Sequence, residues 1–552
     1  MDTRDTGTDA ASAWQPNPFL DTLYDYVPFL DAGPIAAPPP GAEPRIAIVG
    51  AGAAGLVAGY ELLRAGFRPK IFEAAEAVGG RCRTLDMGGG ALAEMGAMRV
   101  PLSHRTFWHY MDEIARLRGR PVDHEAFPDP GKVDTLLYYR NRRLPWPAGH
   151  PPPPPFDGIQ KDFTAFFGKW VAPFAAVWGD GRSAPPEKLR RLQTLWQAAI
   201  TENLGQTFAE GVQRGTGWDT AHMEAFGALG LGSGGFGPMF PINFISALRF
   251  LLEGDETDQQ FIREGLQPVL STLLEARSPD GTTTLGACVT CDCPVTAIDQ
   301  HAGRPVLRFA DRPDATFDAA VMALSTRAAD TLGLTLPAPS SGACLLPEDA
   351  AAAIRGLHMT ASSKLFIRTA TKFWTDTPDL PQMILTDELP RATYCLDYPG
   401  TDHGVVLISY VWEDDSATVA ALEPEEMYRR CLRALSAAHP GFAARAVPMD
   451  GQFHKIDWVN APGFHGGFQL PHPGQEPLIK AAYYQFQTAK DPARDTGVYL
   501  AGDGISYQGG WIEGAMRTGV NAACAAALRA GGTVRAGSPL EQDSALYDYE
   551  HR

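Results

Sequence analysis

The sequence is short of positive charge, of paired cysteines and of any uninterrupted apolar run, and each shortage removes a class of function. Lys and Arg number 47 against 64 Asp and Glu, a net charge of −17. Nucleic-acid binding draws most of its affinity from clustered basic side chains, so no nucleic-acid partner is expected. The eight cysteines (82, 288, 291, 293, 344, 395, 431 and 524) are scattered without secretory context and read as reduced thiols. Cys288, Cys291 and Cys293 form CVTCDC, but a zinc site takes about four ligands and no second Cys or His pair completes the set. No metal is expected, and these cysteines should lie in or beside a strand. Residues 225–248 carry no charge over a bilayer-spanning length, yet AFGALGLGSGGFGPMFPINFISAL holds six glycines and two prolines. A packed, turn-rich segment near a ligand is expected there, and no membrane span. The opening MDTRDTGTDAASAW lacks the charged-then-apolar layout of an export signal, so the cytoplasm is the expected location. No GxSxG elbow or other nucleophile signature occurs, which argues against covalent catalysis.

What is present is enough for more than one core: 552 residues, 45% hydrophobic, with two or three lobes expected at roughly 100–200 residues each. No internal repeat is found. Residues 1–44 are rich in Pro, Ala and Asp and read as an extended arm. The run HPPPPPFDG from His150 marks a surface excursion, because proline suits neither a helix interior nor an inner strand. From Pro186 to Leu204, Leu189, Leu192, Leu195 and Trp196 recur at helical spacing and indicate a mostly α lobe.

The first chemical motif is RIAIVGAGAAGLVAGYELLRAG followed by KIFEA. Arg45 to Val49 reads as a buried strand, and Leu56, Tyr60 and Leu63 as one face of the next helix. Between them, Gly50, Gly52 and Gly55 allow a sharp turn, close approach of backbone to a pyrophosphate, and tight helix–strand packing. Glu73 ends the second strand, where a carboxylate can accept both hydrogens of a ribose diol. The motif specifies a dinucleotide without choosing between NAD and FAD.

The choice comes from Gly79, Gly80 and Arg81 in AEAVGGRCRT and from GVYLAGDGISYQGGWIEGAMRTGVNAA at Gly497. Together they resemble the flavin amine oxidase family. Further matching stretches run from Asp21 to Gly532: LYDYVPFL, AEMGAMRVP, FPDPGKVDT, FGALGLGSGGF, SSKLFIRTATKFW, YCLDY, SYVWEDD and GGWIEGA. They point within the family to the tryptophan 2-monooxygenase subfamily, with phenylalanine oxidase, lysine 2-monooxygenase and L-amino-acid oxidase as neighbours. The resemblance implies an α/β fold: a Rossmann-type FAD-binding domain built from discontinuous segments, a substrate domain of mixed sheet plus helices, and a mostly helical insertion. The expected boundaries are an arm over 1–44, FAD-binding segments at 45–110, 241–335 and 461–532, a helical/substrate segment at 111–240, a substrate sheet at 336–460, and a tail at 533–552.

The family match also assigns residues. Asp503 would reach the ribitol, and Met98, Val295, Gly510, Ile512 and Met516 would contact the cofactor. The helix after Gly509 and Gly510 would begin beneath the flavin, with Trp511 either a cage wall or an ordinary core aromatic. Arg99 in GAMR would hold a substrate carboxylate through two parallel hydrogen bonds, with Tyr410 giving a second donor. Lys364 in SSKLF is either a solvated edge residue or a buried amine; the family match implies the second, holding water at flavin N5. Trp458 is a pocket wall or core packing. No cysteine lies between Cys431 and Cys524, the region that carries the flavin-linking thiol in monoamine oxidases, so FAD is expected to be non-covalent. The expected reaction is hydride transfer from Cα of an aromatic L-amino acid to flavin N5, with O2 as acceptor. The expected products are indole-3-acetamide, CO2 and water from tryptophan; the alternative is a 2-oxo acid, ammonia and H2O2. A homodimer is compatible with this reading.

Overall fold

The computed structural model describes residues 20–178, 185–228, 236–377 and 379–550. Its first organising element is a five-stranded parallel sheet with strands in the order Val289–Thr290, Lys70–Phe72, Ile46–Val49, Ala319–Ala323 and Val498–Ala501. Val49 sits opposite Phe72 and Met322, and Ala323 opposite Ala501. These strands come from three distant stretches of chain, so the sheet exists only once the chain has folded back on itself. They read as short apolar runs because helices and loops cover both faces.

The glycine turn follows the sheet's central strand. Gly50 has φ +96°, and a Cβ there would lie 2.4 Å from the carbonyl oxygen of Ala323. Only glycine fits that approach. The helix Ala53–Arg64 begins directly after Gly52, with no side chain capping its first amides. It is buried almost all round, as a helix apolar on every face must be. The last long helix, Ile512–Arg529, rests against it. Gly519 makes this contact possible: a Cβ there would meet the carbonyl oxygen of Ala54 at 2.5 Å.

The second layer is a seven-stranded mixed sheet in the order His454–Asp457, Ser362–Thr369, Gly404–Trp412, Ala392–Leu396, Met383–Thr386, Thr135–Tyr139 and Arg142–Trp146. Lys364 pairs with Tyr410 in this sheet. The last two strands belong to the expected helical/substrate segment, 111–240, which holds both strands and helices. Its helices are most of Arg105–Arg118, then Phe156–Trp178, Pro186–Asn203, Phe208–Thr216 and Thr220–Ala228, continued by Phe244–Glu253. The helix expected from Pro186 is there, with Leu192 and Trp196 fully buried. The uncharged stretch 225–248 forms the end of one helix, a short 3-10 turn and the start of another; its residues 229–235 lie outside the described ones. Among the described residues no helix is long and apolar enough to cross a membrane. No group of His, Cys, Asp and Glu among them could hold a metal, and Val289–Thr290 forms a strand beside the CVTCDC cysteines.

The expected arm is not extended over its described part. Residues Tyr26–Asp31 form a helix, and Ala36–Ala37 pairs with Thr533–Val534 from the expected tail. The reason is a buried polar hub. Asp21, 3% exposed, accepts from Arg249 Nη2 at 3.0 Å, Trp196 Nε1 at 3.0 Å and Tyr549 Oη at 2.8 Å. The hub ties both ends of the chain to the helical lobe. Breaking a buried pair from one side leaves the other charge uncompensated. Asp21→Ala is therefore expected to lower the unfolding free energy by about 3–5 kcal/mol, measured by denaturant titration; a loss within about 0.5 kcal/mol would rule out the hub as a structural tie.

Candidate active site

The carboxyl ends of the parallel strands open into a cavity of about 850 Å³ that continues to the seven-stranded sheet. This is where open α/β sheets bind ligands, and the volume lies at the upper end of the roughly 300–1,000 Å³ range of ligand sites. Its walls come from both layers, so nucleotide motif and candidate substrate residues share one space.

At one end Gly50, Gly52 and Glu73 line the cavity. Glu73 accepts hydrogen bonds from the backbone amides of Ala51 (2.7 Å) and Ala75 (2.9 Å), which fixes its carboxylate and leaves lone pairs for a diol. Gly79, Gly80 and Arg81 follow along the wall, with Val295 nearby. Arg81 pairs with Asp503, Nη1 lying 3.2 Å from Oδ2, and also donates to the carbonyl of Gly467 at 2.9 Å. The two residues expected to touch different parts of a cofactor thus also neutralise each other. Further along, Gly509, Gly510, Trp511 and Ile512 bring the start of the last helix to the cavity with no side-chain cap on its amides. A Cβ on Gly509 would lie 1.9 Å from Gln469 Oε1. Bare backbone, two uncapped helix N-termini and a fixed carboxylate fit a dinucleotide with a flat ring system.

Two expected cofactor contacts fall elsewhere. Gly55 does not line the cavity; a Cβ on it would sit 2.0 Å from the Gly50 carbonyl oxygen, so its role is to let the helix pack beneath the turn. Met516 is fully buried and likewise does not line the cavity; it belongs to the hydrophobic core, while its neighbour Ala515 lines the cavity. Met98, Val295, Gly510 and Ile512 do line it.

At the other end Arg99, Lys364, Tyr410, Trp458 and Trp511 converge. The guanidinium of Arg99 donates to Gln259 Oε1 at 3.0 Å and lies over the Phe127 ring, 5.5 Å from its centroid. Burial pulls its pKa down, but Glu256 and nearby tyrosines outweigh this and leave it raised. Lys364 is buried, not a solvated edge residue. Its Nζ donates to the carbonyls of Glu94 (3.0 Å) and Gly96 (2.5 Å) and faces the Tyr410 ring at 4.7 Å. Desolvation dominates its titration; Glu94 opposes and Arg99 assists, bringing the amine from 10.5 down to about 7. Burial likewise lifts the carboxyls of Glu94 and Glu256 from 4.5 to about 7. Trp458 donates Nε1–H to the Met95 carbonyl at 3.1 Å, and Trp511 stands edge-on to His104 at 5.1 Å.

Trp412 and Glu256 are among the lining residues that sequence reasoning missed. Trp412 stands two positions after Tyr410 in the same strand, so the period of two would have placed it on the same face. Glu256 sits in the turn after a helix and carries no sequence signal. Cys82 lines the cavity too, its thiol pushed up to about 12 by burial.

Residues 53–527 match the family model described as flavin containing amine oxidoreductase. A tryptophan 2-monooxygenase of Pseudomonas savastanoi is 36% identical over 97% of this chain and 99% of that protein. That of Pantoea agglomerans pv. gypsophilae is 35% identical over 98% and 99%. An L-amino-acid oxidase of Mus musculus is 26% identical over 87% of the chain and 70% of its own length. Among solved structures, a cyclohexylamine oxidase from Brevibacterium oxydans superimposes with TM-score 0.64 at 19% identity, covering 88% of this chain and 99% of that one. A putrescine oxidase gives TM-score 0.64 at 17% identity over 87% and 98%. These two establish the likeness of fold alone.

The titration of Lys364 has a signed consequence. Below about pH 7 the amine is charged in both folded and unfolded chains and the fold bears the full burial penalty; above 10.5 it is neutral in both and the penalty vanishes. Between these limits the unfolded chain binds more protons, so stability rises with pH. Lys364→Met should therefore gain most over the parent near pH 7, and this gain should shrink steadily toward pH 10 in parallel denaturant titrations. A pH-independent difference would mean that Lys364 titrates normally.

Proposed function

The chain belongs to the flavin containing amine oxidoreductase family, and from that premise we propose that this FAD-dependent enzyme oxidises the amino group of an aromatic L-amino acid, tryptophan above all, to the amide. The observation that carries the reading is the Arg99 guanidinium. It lines a cavity walled by Tyr410, Trp412, Trp458 and Trp511 and forms no ion pair among the described residues. A cavity-lining guanidinium that closes no ion pair with the described residues suits a substrate that brings its own carboxylate. Plain amines bring none. The near-full-length similarity to proteins named tryptophan 2-monooxygenase supports the same class.

The chemistry supplied by bound FAD is two-electron oxidation at the substrate Cα–N bond, with the electrons passed on to O2. The chain's own residues bind and orient. Arg99 holds the carboxylate through two parallel hydrogen bonds, and the Tyr410 hydroxyl adds another donor. The indole-bearing walls stack on an aromatic side chain, fixing it without charge. Lys364, neutral above about pH 7, is fixed by the carbonyls of Glu94 and Gly96 and by Met98 Sδ at 3.5 Å, which holds its amine at the cavity wall. Conversion to the amide requires that the imino acid be retained while O2 reacts, which aromatic enclosure favours. The overall balance is tryptophan plus O2 giving indole-3-acetamide, CO2 and water.

Four measurements test this. Acid precipitation should release all FAD to the supernatant; flavin retained in the pellet would show a covalent bond, with Cys82 the cavity-lining thiol to examine. Anaerobic L-tryptophan should bleach the flavin, and aerobic turnover should give one amide per tryptophan, whereas stoichiometric peroxide would make the enzyme an oxidase. Arg99→Ala should keep its FAD and lose about 10²–10³-fold in kcat/KM, as expected for a lost charge-assisted pair of roughly 3–4 kcal/mol. An unchanged value would remove Arg99 from the site.

A further inference from the structure

Behind Arg99, and outside the cavity itself, lies Gln259. It is the first residue of the strand Gln259–Ile262, which pairs antiparallel with Val100–Pro101, the two residues that follow Arg99. Its side chain is buried, 1% exposed. Oε1 accepts from Arg99 Nη1 at 3.0 Å; Nε2 donates to the backbone carbonyl of Asp255 at 2.8 Å and, less closely, to Glu256 Oε2 at 3.4 Å. The Asp255 anchor is itself fixed, its carboxylate held by His104 Nε2 at 2.9 Å and Gln508 Nε2 at 3.0 Å. A carbonyl only accepts and a guanidinium only donates, so this pair of neighbours sets the amide orientation uniquely.

Charge makes the choice of residue informative. Three other arginines of low exposure in this fold each face a carboxylate: Arg81 with Asp503, Arg249 with Asp21 and Arg517 with Glu513. Arg99 instead meets a neutral acceptor. Glu256, the acid lining the same cavity, interacts with the Gln259 amide and forms no ion pair with the guanidinium. An amide orients the fork through one hydrogen bond without neutralising it, whereas a carboxylate at the same place would compete with any anionic ligand.

We propose that Gln259 is a positioning residue that holds the Arg99 guanidinium in the cavity and keeps Glu256 from it, so that its charge stays available to the substrate carboxylate. This rests on the reading of Arg99 as the carboxylate holder. The test compares two ligands that differ only in that group, indole-3-propionate and indole-3-propionamide, titrated into holoenzyme and followed by the flavin spectrum. The parent should prefer the carboxylate. In Gln259→Glu, above neutral pH, the carboxylate should bind about tenfold more weakly or worse, the equivalent of one competing ion pair of ~1.4 kcal/mol, while the amide stays within about twofold. Gln259→Met, which removes the hydrogen bonds but adds no charge, should reduce the preference by a smaller factor, and provides the comparison if the glutamate variant does not retain FAD. An undiminished carboxylate preference in both variants, or equal weakening of the two ligands, would overturn the proposal. A parent enzyme that binds both ligands alike would instead overturn the reading of Arg99 beneath it.

Discussion

The contact on which the rest depends is the one between two helices far apart in sequence, Ala53–Arg64 and Ile512–Arg529. Because residue 519 has no side chain, the second helix lies directly on the backbone of Ala54. Each helix begins with its first amides uncapped by any side chain, and both beginnings border one cavity. Separating the helices by a methyl group would widen the cavity at the place where backbone has to reach a flat ligand. The parallel sheet obeys the same demand, since its strands come from distant stretches and converge on the same opening.

Inside that cavity the dominant physical effect is desolvation. It brings the Lys364 amine down to about 7 and lifts the carboxyls of Glu256 and, just outside the cavity, Glu94 to about 7, so three groups that would be fully charged in water titrate near neutral pH. Arg99 cannot respond in this way, because a guanidinium does not give up its proton in this range. It remains the fixed positive charge of the substrate end, supported by Gln259 and the face of Phe127. Titratable groups tuned by burial around one permanent cation suit the proposed substrate, which has a carboxylate, an amine able to enter uncharged, and an apolar remainder. Lys364 occupies its place because it pairs with Tyr410 across two central strands, and that pairing directs both side chains to one face.

The dinucleotide end was legible in the chain because its requirements are local. A strand, three glycines, a helix and an acid fall within 30 residues, and each constraint acts on backbone a few bonds away. The resemblance of SSKLF, SYVWEDD and GGWIEGA likewise pointed to Lys364, Tyr410 and Trp511, all of which line the cavity. Gly55 and Met516 show the limit: both belong to the right motif, yet one serves packing and the other faces the core. The arm was misread for a related reason. Its composition is that of an extended chain, and the partner that folds it, the Arg249 side chain meeting Asp21, is more than 200 residues away.

The sequence by itself determined the family, the cofactor class and the residue types gathered at the site, because glycine spacing, strand alternation and motif order are properties of neighbouring residues. Only the tertiary structure decided the electrostatics. That Arg81 faces Asp503, that Lys364 is buried between two carbonyls, and that Arg99 donates to an amide are facts about groups brought together from across the fold. Charge states depend on distance and burial in three dimensions, and sequence separation says nothing about either.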